Sequence, residues 1–379
     1  MPTAELPTAG LGDTAATGRE SLLATLAEHA TAADREGRPF PEVLAAVRAS
    51  DVTGLVAPTH LGGAGAAQLA VNRRVAEIAR HDPSTAIIVF QHLAVSSRIV
   101  EWGTDGQQRE LLPRLASGEW LAASAWSESG AGAAKRNLAT VAEERPDGSW
   151  SISGGKAFTT GAGLADVYLV LAQTTRVEDD GEVYGSSGQS FFLIPADTPG
   201  ITPDTGLDLV GMRASATGFI ELEDCVVPAD AMLGPRDGAN RVIAGVRQSG
   251  ATLGAVAVGI AEAAWDHAFA AARKRGLLDH QGLRFRLAEV RTRIEAARAL
   301  VERAGRCDAP DPGAVTLHSK IFAAEVAEEV VQTLARLLGS AGYVISNPIN
   351  RMARDARAVA LMGPTNDLAR ELVSTPWTL

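Results

Sequence analysis

Apolar residues recur at three- and four-residue spacing over Ser21–Arg35, Pro41–Ala49 and Gln68–Arg80, the period of an amphipathic helix. Between the last two, Pro58–Gly65 (PTHLGGAG) is a loop by its Pro and Gly content. Residues 1 to about 18 are rich in Ala, Thr, Gly and Pro and predict a loose arm. The period then changes. Trp150–Ser153 alternates, Val167–Ala172 (VYLVLA) and Ser190–Pro195 (SFFLIP) are short apolar runs, and Phe219–Val227 (FIELEDCVV) alternates again before Pro228. Short strands punctuated by Gly, Asp and Pro predict a small β-barrel or sandwich. Beyond it, apolar stripes run through Arg241–Lys274, Gln281–Arg306 and Pro312–Leu338, lengths that suit antiparallel neighbours in a helical bundle. The predicted fold is therefore α+β in three segments: a helical domain over 1–120, a β-domain over 121–232 and a helical bundle over 233–379.

Composition narrows the classes. The 379 residues are 46 % hydrophobic and 21 % charged, ordinary for a folded globular chain. A net charge of −10, with Arg273-Lys274-Arg275 as the longest basic cluster, argues against a nucleic-acid partner. The two cysteines, Cys225 and Cys307, are far apart and in no metal-ligand spacing. No metal site and no disulfide is expected, and a cytoplasmic location fits best. The N-terminus lacks a secretory pattern, and no run approaches the ~18 apolar residues of a membrane span. The longest apolar stretch, Ala251–Ala264, carries Gly254, Gly259 and Glu262 and reads as a buried bundle helix.

Two segments fit a loose phosphate-loop pattern, Gly63-Ala64-Gly65-Ala66-Ala67 and Gly130-Ala131-Gly132-Ala133-Ala134. Glycines let backbone N–H groups approach a phosphate or a ring. A dinucleotide fingerprint also requires a strand before, a helix after and repeating βαβ units. Leu121–Trp126 supplies a strand, but the segment after the second match is β-like, so a Rossmann reading ranks low.

Longer blocks carry a sharper signal. Glu101–Ala134 reads EWGTDGQQRELLPRLASGEWLAASAWSESGAGAA, Gly154–Thr174 reads GGKAFTTGAGLADVYLVLAQT, Gly211–Pro228 reads GMRASATGFIELEDCVVP, and Leu337–Leu361 reads LLGSAGYVISNPINRMARDARAVAL. In this order and spacing they resemble the acyl-CoA dehydrogenase family over about residues 20 to 373. The resemblance implies an N-terminal helical domain, a central β-barrel or sandwich and a C-terminal four-helix bundle, with FAD held between the last two. It places Trp126, Ser127 and Gly132 of the Gly-rich loop at the flavin, with Ser127 at the pyrimidine edge. It places Phe158 where the family often has a Trp packed on the ring, and Thr159 and Thr160 beside it, Thr160 near N5. Arg273 and Arg275 stand in the turn that in the family reaches FAD on a neighbouring subunit, Arg336 falls near the adenine side and Gly339 joins the cofactor set, and flavin sites at subunit contacts imply a homodimer or homotetramer. Three departures stand out: the loop ends Ala133-Ala134 instead of Ser-Asp, the Arg-x-x-Phe-Gly turn is shortened to Arg273-Lys274-Arg275-Gly276, and Arg336 replaces a Gln.

The family's catalytic carboxylate is also missing. Its usual place, about eight residues past the Met-Arg-Asp-Ala block, is Gly363, and the alternative place on the first bundle helix is Ser249. Acyl thioester oxidation needs an α-proton acceptor and a polarised carbonyl. The Gly363 N–H could still polarise. Candidate bases are Asp367, which would share a helical face with Gly363 if that helix starts early, and His92 in an N-domain helix; the bland readings are a solvated surface charge and a packed core imidazole. The implied activity is α,β-dehydrogenation of an acyl group on CoA or on a carrier protein, passing electrons to an acceptor. The alternative is a flavin monooxygenase of the same fold fed by a partner flavin reductase, and a third reading is a flavin binder without turnover.

Overall fold

The computed structural model describes residues 12–176, 181 and 183–378. Five helices open the chain: α1 (Gly12–Glu36), α2 (Pro41–Ala49), α3 (Gln68–His81), α4 (Pro83–Trp102) and α5 (Asp105–Ala116). Residues 12–18, expected in a loose arm, are thus the first turns of α1; the rest of that arm, residues 1–11, lies outside the described residues. Local chemistry starts these helices. Asp82 accepts from the N–H groups of Ser84 and Thr85 at 3.1 and 3.3 Å ahead of Pro83, and Thr104 and Gln107 cap α5 reciprocally.

The strands are β1 (Ala122–Ala125), β2 (Val141–Glu144), β3 (Trp150–Thr159), β4 (Val167–Gln173), β5 (Gln189–Pro195), β6 (Ile201–Asp204), β7 (Gly218–Val227) and β8 (Met232–Leu233). They form one sheet in the order β6-β7-β3-β2-β4-β5-β8, with β1 parallel to β4. The two apolar runs became β4 and β5, buried on both faces, and alternating Phe219–Val227 became β7 against β3. The β3–β7 register shifts between Lys156 and Thr159, a bulge that re-aims Phe158.

Six helices come next: α6 (Ala239–Gln248), α7 (Gly254–Lys274), α8 (Gln281–Arg306), α9 (Pro312–Leu337), α10 (Pro348–Leu361) and α11 (Asn366–Ser374). The single helix expected over Arg241–Lys274 is broken. At the break Gly250 has φ +73°, and a Cβ there would lie 2.3 Å from the Ala304 carbonyl and 2.6 Å from Cys307 Sγ. The end of α8 therefore forces a turn that periodicity along α6 and α7 cannot reveal. Helices α7, α8, α9 and α10 form the bundle. Its apolar core is continuous with that of α1 to α4, from Leu22 and Val75 through Ile260 and Val330 to Val359. The join is tight at Gly259 of α7, where a Cβ would come 2.2 Å from the Ala76 carbonyl of α3. Among the described residues no helix is long and apolar enough to cross a membrane.

Candidate active site

The sheet brings the two predicted flavin segments together. Trp126 and Ser127 leave the end of β1, and the Ser127 carbonyl accepts the Ala157 N–H of β3 at 2.8 Å. Next along β3 comes Phe158, with φ +54°, a costly conformation for a bulky side chain. The strained backbone points the ring outward, 64 % exposed. Thr159 Oγ1, next along the strand, and Trp126 Nε1, next to Ser127 in sequence, are buried without a hydrogen-bond partner among the described residues, although the Trp126 ring packs on Phe191 at 4.8 Å. Thr160 Oγ1 lies 3.0 Å from Thr217 Oγ1, while the Ser127 hydroxyl makes no hydrogen bond to the described residues. An exposed aromatic ring beside orphaned buried polar atoms fits a planar, hydrogen-bonding group such as a flavin. Gly132 is exposed with φ +67°, and a Cβ there would meet nothing within 4 Å among the described residues.

A buried ion pair holds the loop in place. Lys156 Nζ of β3 lies 2.6 Å from Glu128 Oε1, with the two side chains 0 % and 5 % exposed. Glu128 also accepts from the N–H groups of Ala139 and Thr140 at 2.6 and 3.1 Å. Burial opposes its charge, but Lys156 and these donors outweigh burial and hold the carboxyl below its ordinary range. A cleft of about 580 Å³ opens beside the pair, lined by Ser129, Asn137, Gly155 and Phe219 among others.

Neither candidate base survives. His92 is buried in α4 with Nε2 3.0 Å from the Thr53 carbonyl, and its Nδ1 accepts the Ala122 N–H at 3.2 Å. Both ring nitrogens are thus occupied by backbone, and burial pushes the imidazole down to about 4. His92 is a neutral tie between α4 and β1. Asp367 is 95 % exposed and paired with Arg370 at 2.5 Å, and Arg370 also pairs with Glu325. Thr365 caps α11 by accepting from the Leu368 N–H at 3.2 Å, so the helix starts at Asn366 and Gly363 lies outside it. The shared helical face does not form, and Asp367 is a solvated surface charge. Ser249 caps the end of α6, its hydroxyl donating to the Val246 carbonyl at 2.8 Å.

Gly363 itself has an unexpected neighbour. A Cβ built there would lie 3.3 Å from Lys135 Nζ and 3.6 Å from the Tyr184 hydroxyl, and among the described residues no other heavy atom beyond its chain neighbours comes within 4 Å. The Gly363 N–H makes no hydrogen bond within the described residues. Lys135 is buried, its Nζ 5.1 Å above the Tyr184 ring. The segment holding Tyr184 is clasped to the Gly-rich loop, Gly185 N–H donating to the Ala134 carbonyl and Gln189 Nε2 to that of Lys135, both at 2.8 Å. Sequence reasoning missed Lys135, Tyr184 and the Glu128–Lys156 pair; Glu128 stood in the Ser-Glu-x-Gly-Ala-Gly loop without a role.

The four other cofactor candidates group elsewhere in the chain. Arg275, just past α7, donates to the Leu338 carbonyl at 3.3 Å, which brings it to the end of α9 with Arg336 and Gly339. Arg273 is exposed on the last turn of α7. These residues belong to helices whose main packing is with other helices, and no strand of the Trp126–Phe158 group is among those neighbours.

Family models cover nearly the whole chain. The acyl-CoA dehydrogenase N-terminal, middle and C-terminal domain models match residues 13–119, 123–225 and 236–375. The chain belongs to the acyl-CoA dehydrogenase family. Among its relatives is the Mycobacterium tuberculosis protein named "Probable acyl-CoA dehydrogenase FadE25", 32 % identical over 359 residues that cover 92 % of this chain and 90 % of the relative. An acyl-CoA dehydrogenase of Bacillus subtilis is 31 % identical over 85 % of each chain. The solved butyryl-CoA dehydrogenase of Megasphaera elsdenii superposes with a TM-score of 0.88 at 27 % identity, covering 98 % of this chain and all of that one (100 %).

Proposed function

We propose that the protein is a FAD-dependent oxidoreductase that introduces an α,β double bond into an acyl thioester. The observation that carries this reading is the join of the Ser127 loop to the Phe158–Thr159 end of β3, with an outward aromatic ring and buried polar atoms, Thr159 Oγ1 and Trp126 Nε1, that lack partners among the described residues. Bound there, FAD supplies a hydride acceptor for the acyl β-carbon. Ser127 would donate its hydroxyl to the ring edge, Trp126 Nε1 and Thr159 Oγ1 would offer further polar contacts, and Phe158 would cover the ring and exclude water. The unpaired Gly363 N–H donates to the thioester carbonyl and favours the enolate form of the substrate. No described carboxylate stands at Gly363, so the α-proton would pass to solvent water, aided by this polarisation and by the substrate's own α-acidity, as the β-hydride leaves for the flavin. A positioned base is worth about 10²–10⁴-fold, so turnover of a simple acyl-CoA should be slow by that factor beside relatives that have one.

The same missing carboxylate favours a second reading, a monooxygenase of this fold supplied with reduced flavin. The thioester reading ranks first because the relatives above carry acyl-CoA dehydrogenase names over nearly their whole length. We place the protein in the cytoplasm as a homodimer or homotetramer that hands electrons to a separate acceptor. Arg273, Arg275, Arg336 and Gly339 would then reach the cofactor of a second subunit. Exposed Phe285, Tyr343 and Ile345 support a subunit contact on that end of the bundle. The test is titration with FAD, read by fluorescence quenching, followed by steady-state assay of acyl-CoA thioesters with an artificial electron acceptor. Saturable binding and enoyl product are expected; no binding at micromolar FAD would overturn the reading.

A further inference from the structure

Three buried ionisable side chains converge where the Gly-rich loop meets β3: Glu128, Lys156 and Lys135. Glu128 neutralises Lys156, and the Lys135 charge adds to the positive field at Lys156. Among these three groups one positive charge is therefore left over. Lys135 Nζ has one hydrogen bond among the described residues, a long one of 3.3 Å to the Ala133 carbonyl, although an ammonium carries three donors. Its other neighbour is the face of Tyr184, whose hydroxyl makes no hydrogen bond to the described residues. Buried charges are ordinarily paired, and the bland account, a lysine stem resting on an aromatic ring, leaves two donors of the ammonium unanswered. Both Nζ and the Tyr184 hydroxyl converge on the space that a side chain at position 363 would enter, and the chain has glycine there.

We propose that Lys135 and Tyr184 form an anion-recognition site for the acyl group itself, so that the preferred substrate is a short acyl thioester carrying a second carboxylate near its α-carbon. The site rests on the thioester reading above and deepens it. The substrate's carboxylate takes the volume vacated at position 363, accepts from the Lys135 ammonium and the Tyr184 hydroxyl, and balances the interior charge. An uncharged acyl chain of the same length leaves the ammonium unpaired. Lys135 is therefore a specificity-determining residue of the substrate site.

The experiment compares malonyl, methylmalonyl and succinyl thioesters with acetyl, propionyl and butyryl thioesters, each offered to the FAD-loaded protein as CoA and as pantetheine esters. Binding is read by calorimetry and by perturbation of the flavin spectrum, without turnover. A charge-assisted hydrogen bond is worth about 10- to 100-fold in affinity, and the carboxylated ligands should lead by that factor. Lys135→Met, which keeps the stem, should erase the lead, and Lys135→Arg should restore part of it. Gly363→Glu supplies a carboxylate in reach of Nζ and should also erase the lead while Lys135 is intact, which keeps the test alive if Lys135→Met fails to fold. Equal binding of both series by the unaltered protein, or a lead that persists in both Lys135→Met and Gly363→Glu, overturns the proposal alone. Failure of all six thioesters to bind in either form overturns the thioester reading and this site with it.

Discussion

Replacing Lys156 by Met should loosen the cofactor loop by an amount the structure lets one calculate. The substitution keeps the stem buried in β3 and removes the ammonium that lies 2.6 Å from Glu128 Oε1. Truncating one partner of a buried ion pair costs about 3–5 kcal/mol, because a charge is left unpaired. Glu128 keeps the Ala139 and Thr140 N–H groups, each worth about 1.5–3 kcal/mol as a bond to a charged acceptor, so the low end, ~3 kcal/mol, applies. The carboxylate and both donors belong to the 127–140 loop, so the loss falls on that loop before it reaches the global fold. A loss of ~3 kcal/mol corresponds to roughly 10²-fold in an equilibrium. FAD should therefore bind about 10²-fold more weakly, and the Ala139 and Thr140 amides should exchange faster by a similar factor. The double variant Lys156→Met with Glu128→Gln removes both charges and should recover most of the loss. Fluorescence titration with FAD and amide exchange by mass spectrometry read the two effects. If Lys156→Met binds FAD within threefold of the unaltered protein and keeps those amides protected, the pair does not hold the loop.

Three further outcomes are expected at other positions. His92→Ala removes acceptors and donors facing Thr53 and Ala122, and should cost about 2–4 kcal/mol of stability through two orphaned backbone groups and a cavity. The rate of flavin reduction per folded, FAD-loaded molecule should stay within threefold; a 10²-fold loss would make His92 the base after all. Asp367→Asn should leave that rate unchanged, since its partner is Arg370 at the surface. Asp355 is buried, accepts the Met212 N–H at 2.6 Å, and is pushed up to about 7 by burial. The folded chain then binds this proton more tightly than the unfolded chain between roughly pH 4 and 7, so its contribution to stability falls as pH rises through that window. Urea unfolding at pH 5 and pH 8 should show a smaller drop in Asp355→Asn; equal drops would contradict the assignment.

How much of this was legible along the chain depends on where each cause lies. Helix α8 matches its apolar stripe from Gln281 to Arg306 because the stripe itself builds it. The break between α6 and α7 comes from Ala304 and Cys307 pressing on Gly250, a contact some fifty positions away in sequence. Phe158 could be located by its place in the Gly154–Thr174 block, but its positive φ and outward ring arise from the β3–β7 bulge. His92 became a backbone tie only once α4 packed on β1. Lys135 stands in a polar stretch, Lys135-Arg136-Asn137, that reads as exposed loop. It is buried because the segment holding Tyr184 closes over it, and no local pattern encodes that closure.

The most direct test of the central claim is a single half-reaction. The FAD-loaded protein is mixed with each acyl thioester in the strict absence of oxygen, and the flavin absorbance is followed by stopped flow. The account predicts that at least one thioester bleaches the flavin and leaves one equivalent of enoyl product per flavin reduced. A flavin that stays oxidised with every thioester, in a protein that incorporates labelled O₂ into product only when given reduced flavin, would contradict the dehydrogenase reading and establish the monooxygenase in its place.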